Sequence, residues 1–340
     1  MAIQPRVLFV DTTYGPSDDW QDTINYHIYD HVPGWWRKVE KLLRLDLLLA
    51  AKVKAIADQY DVIIVGSEKA GIPLAFLNIQ KPQVVHVHNM TQPYRRILGR
   101  IAGIGDKWTY VGYVVKEDAD QMISDFNMSP ERFYRCFAAP LEQFEPGDKI
   151  SEGPILSMGV AKRDYRTLIA ALKKLPGYMT EIYASSRYKD IFKGAKPRNL
   201  PAWVRFETNA NLSTDAVVNC YRRARFVVTP LVKSHHPDAG VSAVSEAMAS
   251  GKGVIATYNP GIVDYVVDGV TGILVPPGDV KALRHAIEKF WNNPELAYQM
   301  GIEGRKHAEK YFHPKKIRVE YHNAISKAYQ VYASKNRGLT

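Results

Sequence analysis

Apolar residues form short continuous runs that alternate with helix-length segments along the chain. In the first 130 residues, the runs predict strands at residues 6–11, 61–66, 84–88 and 108–113. The segments between them predict helices at residues 35–60, 70–79, 91–101 and 116–127. Runs that are apolar at every position are typical of parallel strands buried on both faces. The alternation therefore predicts a doubly wound α/β domain.

The same alternation restarts after a stretch rich in Pro, Gly and acidic residues at 140–154, which is typical of a linker. Strands are predicted at residues 155–159, 180–184, 204–207, 226–230, 253–257 and 272–275. Helices are predicted at residues 165–175, 214–223, 242–250, 280–291 and 315–332, the last starting after Pro314. We therefore expect domains at 1–145 and 153–312, facing a central cleft. Residues 313–340 should form a helix that crosses back to the first domain.

Composition excludes several classes of protein. The 340 residues are 46% hydrophobic and 24% charged, as in ordinary globular proteins. No apolar stretch is long enough to span a membrane, and the N-terminus lacks a signal-peptide pattern. Two cysteines, Cys136 and Cys220, cannot form a disulfide framework, so we expect a cytoplasmic protein. The net charge of +10 favours an anionic partner: nucleic acid, a phosphorylated small molecule or an acidic membrane surface.

The chemistry is concentrated at residues 230–279. A strand ends at Pro230, and the following loop carries His235, His236 and Asp238. An Ala239-Gly240 turn then opens a helix, whose N-terminal backbone N–H groups can bind an anion. Asp238 and Glu246 are eight residues apart, so the two carboxylates can bracket a ligand with phosphates on the helix end. Alternatively, Asp238 only caps the helix and Glu246 pairs with a lysine.

Residues 245–257, SEAMASGKGVIAT, and residues 260–279, PGIVDYVVDGVTGILVPPGD, resemble the donor-binding signature of family-4 retaining glycosyltransferases of GT-B fold. The resemblance implies two Rossmann-like domains. It also implies that Asp238 and the backbone of Ala239, Gly240, Val241 and Ser242 hold the donor sugar, and that Glu246 holds the nucleotide ribose. Asp238 and Asp264 stand where the family usually has glutamate, a difference in length and not in charge.

The first strand-helix junction of the second domain, SMGVAKRDYRTLIAAL, also resembles the family pattern. On that resemblance Gly159 contacts the donor, while Lys162 and Arg163 neutralise the diphosphate leaving group. A bidentate guanidinium suits that role. The family's usual Arg after the glycine is replaced by Val160, and a solvated helix start is the alternative for Lys162 and Arg163. Candidate contacts to the nucleotide base are Ser185, Arg187 and Asn209.

In the first domain, PQVVHVHNMTQ resembles a strand that ends in a histidine near the transferring sugar, which would be His88. His86 lies on the same side of this strand, so the pair could also bind zinc, or either residue could be a core histidine. No third ligand cluster accompanies the pair, and we expect no metal. The acidic pair Asp118 and Asp120 falls at a predicted helix start, where acids complement the helix dipole.

The segment at residues 35–60 is both apolar and basic. As one helix, it would place Arg37, Lys41, Arg44 and Lys52 within an arc of roughly 80°. One interpretation is an ordinary helix with a solvated basic face. The other is an interfacial element in which Trp35 and Trp36 and the basic arc, within residues 35–54, dock on anionic lipid.

The sequence thus predicts a retaining glycosyltransferase that transfers a sugar from a UDP- or GDP-sugar to a lipid-linked or saccharide acceptor. The first domain would bind the acceptor and the second the nucleotide sugar. No cofactor, metal or nucleic-acid partner is expected, and a peripheral position on the cytoplasmic membrane face is an open alternative. A GT-B sugar-nucleotide epimerase, or a catalytically silent protein that binds sugar nucleotides or polyanions, remains a competing hypothesis. The absence of GxGxxG after the first strand argues against a dinucleotide-dependent dehydrogenase.

Overall fold

The structure is a computed structural model. It describes residues 5–10, 22–24, 34–147, 152–159, 161–184, 199–208, 212–234 and 236–337. The chain divides into two compact units. The first contains the described residues up to Phe137 and those from Ile317 onward, and the second runs from Ala138 to Lys316. The second unit therefore begins seven residues before the end of the first domain that the sequence predicts.

The first unit is a six-stranded sheet in which every pairing is parallel. Its strands are β1 (Val7–Val10), β2 (Asp22–Ile24), β3 (Val62–Val65), β4 (Gln83–Val87), β5 (Trp108–Tyr113) and β6 (Phe133–Arg135), in the spatial order β2-β1-β3-β4-β5-β6. Its helices are α1 (Gly34–Leu43), α2 (Leu47–Ile56), α3 (Glu68–Phe76), α4 (Pro93–Ala102), α5 (Ile104–Lys107) and α6 (Lys116–Phe126). The apolar runs of β1, β3 and β4 are buried at every position, as the sequence predicts.

The segment predicted as one helix at residues 35–60 is two helices, so that prediction was wrong. Arg44 adopts a left-handed backbone conformation (φ 54°), which ends α1. The buried Glu40 side chain accepts a hydrogen bond from Leu48 N at 2.8 Å, and this satisfies a donor in the first turn of α2. The break buries Leu45 beside Leu49 in the core. A single basic arc from Arg37 to Lys52 therefore does not form.

The second unit is also a six-stranded parallel sheet. Its strands are β7 (Ile155–Met158), β8 (Thr180–Tyr183), β9 (Val204–Glu207), β10 (Phe226–Thr229), β11 (Val254–Thr257) and β12 (Gly272–Val275), ordered β12-β11-β10-β7-β8-β9. Counted within the unit, this is the 3-2-1-4-5-6 order of dinucleotide-binding sheets. The strand order reverses between β7 and β10, so loops leave the carboxyl ends of these neighbours in opposite directions.

Helices cover the second sheet. They are α7 (Tyr165–Leu172), α8 (Thr214–Arg223), α9 (Val241–Ala249), α10 (Val280–Asn292) and α11 (Pro294–Tyr311). The last helix, α12 (Pro314–Arg337), belongs to the first unit from Ile317 onward. The segment after Phe137 is fixed to this unit, because Arg305 Nη1 donates to the carbonyls of Leu141, Phe144 and Ala249. These bonds place part of the predicted linker in the second unit.

Candidate active site

The loop after β7 places Arg163 over the carboxyl end of β7. Gly159 has a φ of +101°, and a Cβ there would lie 2.6 Å from Arg163 Nη2. Arg163 Nε donates to Met158 O at 2.9 Å, and Nη1 donates to Ala161 O at 3.1 Å. Glycine is therefore needed at residue 159 for the guanidinium to pack against the strand end. Lys162 also has a positive φ (57°), and its side chain is exposed.

The loops after β7 and β10 are hydrogen-bonded to each other. Val232 N donates to Lys162 O, and Asp164 N donates to Pro230 O, both at 2.9 Å. Arg163 and Leu231 form an antiparallel bridge between these two bonds. Lys162 and Arg163 are thus held at the point where the strand order reverses, the place where open α/β sheets bind ligands.

The loop after β10 leads into the N-terminus of α9. Gly240 is its N-cap residue with φ +88°, and Val241 N donates to Asp238 O at 3.2 Å. The first α-helical hydrogen bond runs from Val244 N to Gly240 O, so the N–H groups of Ser242 and Ala243 precede it. Such groups, together with the helix dipole, form an anion-binding end.

Asn259 shapes the loop that carries Asp238. Its Nδ2 donates to His236 O at 3.4 Å, and its Oδ1 accepts from Gly261 N at 2.9 Å. Asp238 is half-buried in this loop. Asp264 is half-buried in the 3₁₀ turn Ile262–Asp264, which follows β11 at the same edge of the sheet. Both carboxylates therefore follow strands that end at this edge.

Glu246, in the middle of α9, belongs to a buried polar cluster. Tyr221 OH donates to Glu246 Oε2 at 2.8 Å. Burial, and then the Glu246 charge, raise the pKa of Tyr221 well above its usual value, so Tyr221 stays a neutral donor. Burial lowers the pKa of Arg163, while Tyr165, Tyr221 and Glu246 oppose that shift. Arginine nevertheless remains charged at neutral pH.

Tyr165 completes this cluster. Its hydroxyl donates to Gly159 O, and burial raises its pKa to about 12 although Arg163 opposes the rise. Gly159, Arg163 and Glu246 are thus connected through hydrogen bonds and charge interactions with Tyr165 and Tyr221. Neither tyrosine could be identified from the sequence. The Tyr221 hydroxyl serves a carboxylate 25 residues away, and the Tyr165 hydroxyl serves a backbone carbonyl, and neither contact leaves a sequence pattern.

In the first unit, His88 follows β4 and is half-buried. Its Nε2 lies 3.2 Å from Gly66 O, and its backbone N donates to Glu68 Oε2 at 3.0 Å. His86 is different: it is buried, and its Nε2 lies 2.8 Å from Tyr134 OH. Burial, and then His88, lower the pKa of His86 to about 3, so it is a neutral core histidine.

The two acidic residues at the start of α6 differ in burial and in their partners. Asp118 is buried and accepts a hydrogen bond from Thr91 N at 3.1 Å, whereas Asp120 is exposed and forms an ion pair with Lys116. Within the part of the chain that the structure describes, no group of three His, Cys, Asp or Glu residues could hold a metal ion. Within the same part, no helix combines the length and apolarity needed to cross a bilayer.

Several predicted residues lie outside the described residues. These are Val160, His235 and the candidate base contacts Ser185, Arg187 and Asn209. The side chains of Trp35, Trp36, Arg37 and Lys41 lie outside them too.

Solved structures share this two-unit architecture. Anabaena Alr3699/HepE in complex with UDP-glucose superposes with a TM-score of 0.70 at 17% identity, over 95% of this chain and 100% of that chain. Sucrose-phosphate synthase from Thermosynechococcus elongatus gives a TM-score of 0.71 at 18% identity, over 96% and 89% of the two chains. The chain therefore has the GT-B fold, with two α/β units built on parallel sheets.

Sequence comparisons match parts of the chain to glycosyltransferases. Residues 160–307 match the family model for glycosyl transferases group 1. The uncharacterized glycosyltransferase MJ1178 of Methanocaldococcus jannaschii is 30% identical over 152 residues, which are 45% of this chain and 41% of that protein. The chain thus matches less than half the length of this relative. The region matched by the family model, residues 160–307, contains Lys162, Arg163, Asp238 and Glu246.

Proposed function

We propose that this protein is a retaining glycosyltransferase that transfers a hexose from a nucleotide-diphosphate sugar to an acceptor hydroxyl. The observation that carries the proposal is the edge of the second sheet where β7 and β10 meet. There, Lys162 and Arg163 on one loop are hydrogen-bonded to the loop that leads to the N-terminus of α9. Two sources of positive charge at a strand-order reversal suit a diphosphate.

The proposed chemistry follows from that charge. As the sugar–phosphate bond breaks, negative charge grows on the departing diphosphate, and Lys162, Arg163 and the N–H groups of Ser242 and Ala243 stabilise it. The acceptor hydroxyl attacks from the face that the diphosphate leaves, and its proton passes to the leaving phosphate. No metal is needed in this scheme, because protein cations and a helix end supply the positive charge.

Two acidic residues hold the rest of the donor in this proposal. Glu246, fixed by Tyr221, accepts hydrogen bonds from the ribose hydroxyls. Asp238, with the backbone of Ala239, Gly240 and Val241, binds hydroxyls of the sugar. UDP-sugars are the first donors to test, since the similarly folded Anabaena Alr3699/HepE was solved with UDP-glucose. GDP-sugars are the second class.

For the acceptor, we propose a lipid-linked or saccharide hydroxyl, with the lipid-linked class favoured by the surface of the first unit. Leu42 is 82% exposed and Ile101 is 69% exposed. Arg44, Lys52 and Lys54 are exposed in the same unit. Apolar side chains together with cations suit the boundary of an anionic membrane, and this is the basis for a peripheral cytoplasmic location.

A donor panel tests the proposal. The purified protein is incubated with UDP- and GDP-sugars, with and without lipid-linked and saccharide acceptors, in buffer containing EDTA. Proton NMR then follows the anomeric signal. We expect transfer with the donor's anomeric configuration retained. An inverted product would contradict the retaining mechanism, formation of an epimeric sugar nucleotide would indicate an epimerase, and binding without turnover would indicate a silent binding protein.

A further inference from the structure

The loop at residues 88–91, which follows β4, is contacted by three buried charged side chains. Glu68 begins α3, Arg95 lies in the first turn of α4, and Asp118 lies in the first turn of α6. Their exposed fractions are 1%, 5% and 0%. Three different helices thus each direct a charged group at the same four residues.

Each side chain holds a different backbone position of the loop. Glu68 Oε2 accepts from His88 N at 3.0 Å, and Glu68 Oε1 forms an ion pair with Arg95 Nη1. Arg95 Nη1 also donates to Asn89 O at 3.1 Å. Asp118 Oδ1 accepts from Thr91 N at 3.1 Å. The loop is therefore fixed at both of its ends and at its second residue.

Buried charges are costly, so this arrangement needs an explanation. A buried ion pair rarely stabilises a fold more than apolar side chains of the same volume would. Burial alone would raise the pKa of Glu68, but Arg95, His88 and the His88 backbone N–H reverse this and lower it, so the carboxylate is ionised. The charged groups instead fix the conformation of the loop, because they make several directional hydrogen bonds to one short segment.

The carbonyl of Gly66, which follows β3, indicates which nitrogen of the His88 ring carries a proton. Nε2 lies 3.2 Å from Gly66 O, and a carbonyl oxygen can only accept a hydrogen bond. Nε2 therefore carries a proton. In the neutral ring, Nδ1 is then the unprotonated nitrogen and can accept a hydrogen bond from a hydroxyl.

We propose that Glu68, together with Arg95 and Asp118, is a positioning residue that holds the loop at residues 88–91 so that His88 offers Nδ1 to a substrate hydroxyl. This inference rests on the proposed transferase function for its consequence in turnover. Its structural content, the Nε2–H form of the His88 ring on a backbone held by Glu68, can be measured without any substrate.

The kinetic test compares two isosteric variants in the same unit. Glu68→Gln keeps an acceptor for His88 N but removes the counter-charge of Arg95. Asp125→Asn is the matched control, because the largely buried Asp125 carboxylate also pairs with arginines of α4, Arg96 and Arg100, and not with Arg95. We expect Glu68→Gln to lower kcat about 10- to 100-fold with the nucleoside diphosphate Kd unchanged, because the loop shifts relative to the reacting groups. Asp125→Asn should leave kcat within about twofold, whatever it does to stability.

The spectroscopic test uses long-range ¹H–¹⁵N correlation spectra, with the His88 signals assigned from His88→Gln. We expect the Nε2–H tautomer in the native protein and a mixture of tautomers in Glu68→Gln. A native Nδ1–H tautomer, an unchanged ring in Glu68→Gln, or equal kcat losses in both carboxylate variants would overturn the proposal. Absence of transfer by the native protein would instead refute the proposed function. The tautomer measurement needs no substrate, so its result does not depend on transfer.

Discussion

At the scale of single residues, the Glu246–Tyr221 pair is the most direct probe of nucleotide binding. Glu246 is fixed by a 2.8 Å hydrogen bond from Tyr221 OH, within reach of the Arg163 charge. A hydrogen bond to a charged group is worth about 1.5–3 kcal/mol. Glu246→Ala should therefore weaken nucleoside diphosphate binding by roughly 10- to 100-fold, as measured by calorimetry. Glu288→Ala, on the exposed side of α10, should leave the affinity unchanged; equal affinities for both variants would remove Glu246 from the ribose site.

Asp238 and His88 should separate turnover from binding. The family resemblance implies that His88 lies near the transferring sugar, and the proposed function assigns sugar hydroxyls to Asp238, so we expect neither residue to act on the diphosphate. Asp238→Ala and His88→Ala should thus lower kcat by about 100-fold or more while the Kd of the nucleoside diphosphate stays within about twofold. Asp238→Glu, which restores the charge with one extra methylene, should recover part of the activity. Parallel losses of kcat and diphosphate affinity would contradict the assignment to the sugar.

At the scale of elements, the N-terminus of α9 can be tested through its glycine. A Cβ at Gly240 would lie 3.1 Å from both Leu231 Cδ1 and Thr229 Cγ2, whereas no described atom lies within 4 Å of a Cβ at Gly269. Both glycines have a positive φ, so an alanine at either should cost about 1–2 kcal/mol of unfolding free energy. Only Gly240→Ala should also weaken diphosphate binding, because it displaces the helix end. Chemical denaturation and calorimetry on both variants would reveal the difference; matching affinities would show that this helix end does not bind phosphate.

Sequence patterns predict most of the strands and helices, but not all of them. Short strand-like runs between helix-length segments located ten of the twelve strands among the described residues. Most of these runs are continuously apolar, as expected for parallel strands buried on both faces, whereas β9 is exposed at Arg205. The three-residue strands β2 and β6 were missed, since they carry no such run. Helix α11 was missed as well, because it packs through small residues such as Ala297, Gly301 and Gly304 in place of a strong apolar stripe. The break at Arg44 is accompanied by a hydrogen bond from Leu48 N to Glu40 Oε1, a side-chain contact that the apolar pattern does not reveal.

For the candidate site, the same distinction holds. The sequence could place Lys162, Arg163 and the Asp238–Ser242 segment on the loops after β7 and β10, because the apolar runs mark where these strands end and the loops resemble the family pattern. The hydrogen bonds of Glu68, Arg95 and Asp118 with residues 88–91 could not be found from the sequence. Glu68 and Arg95 are 27 residues apart, and their pairing depends on how α3 and α4 pack. The fold predicted from the sequence is confirmed, whereas the residue roles stay predictions.

At the scale of the whole molecule, the net charge of +10 and the exposed apolar side chains of the first unit predict association with anionic membranes. Each basic residue near such a surface contributes about 1 kcal/mol, and salt weakens the attraction. The protein should sediment with phosphatidylserine-containing vesicles at low salt and less with neutral ones. The variant Arg44→Gln/Lys52→Gln/Lys54→Gln should lose this binding.

The matched control for charge is Lys281→Gln/Lys289→Gln/Lys306→Gln in the second unit, which removes the same number of cations. It should retain vesicle binding, and both triple variants should retain nucleotide binding. If the two triple variants lose vesicle binding equally, the net charge of the protein alone causes its attraction to the vesicles. In that case a soluble saccharide acceptor would be the better proposal.

The central claim is that the edge of the second sheet between β7 and β10 binds the diphosphate of a nucleotide sugar. A crystal structure of the protein with UDP, or with GDP if calorimetry favours it, tests this claim most directly. We expect phosphate oxygens about 3 Å from the backbone N–H groups of Ser242 and Ala243, with Lys162 and Arg163 on the other side and the ribose at Glu246. A diphosphate bound elsewhere, with this edge left to solvent, would contradict it.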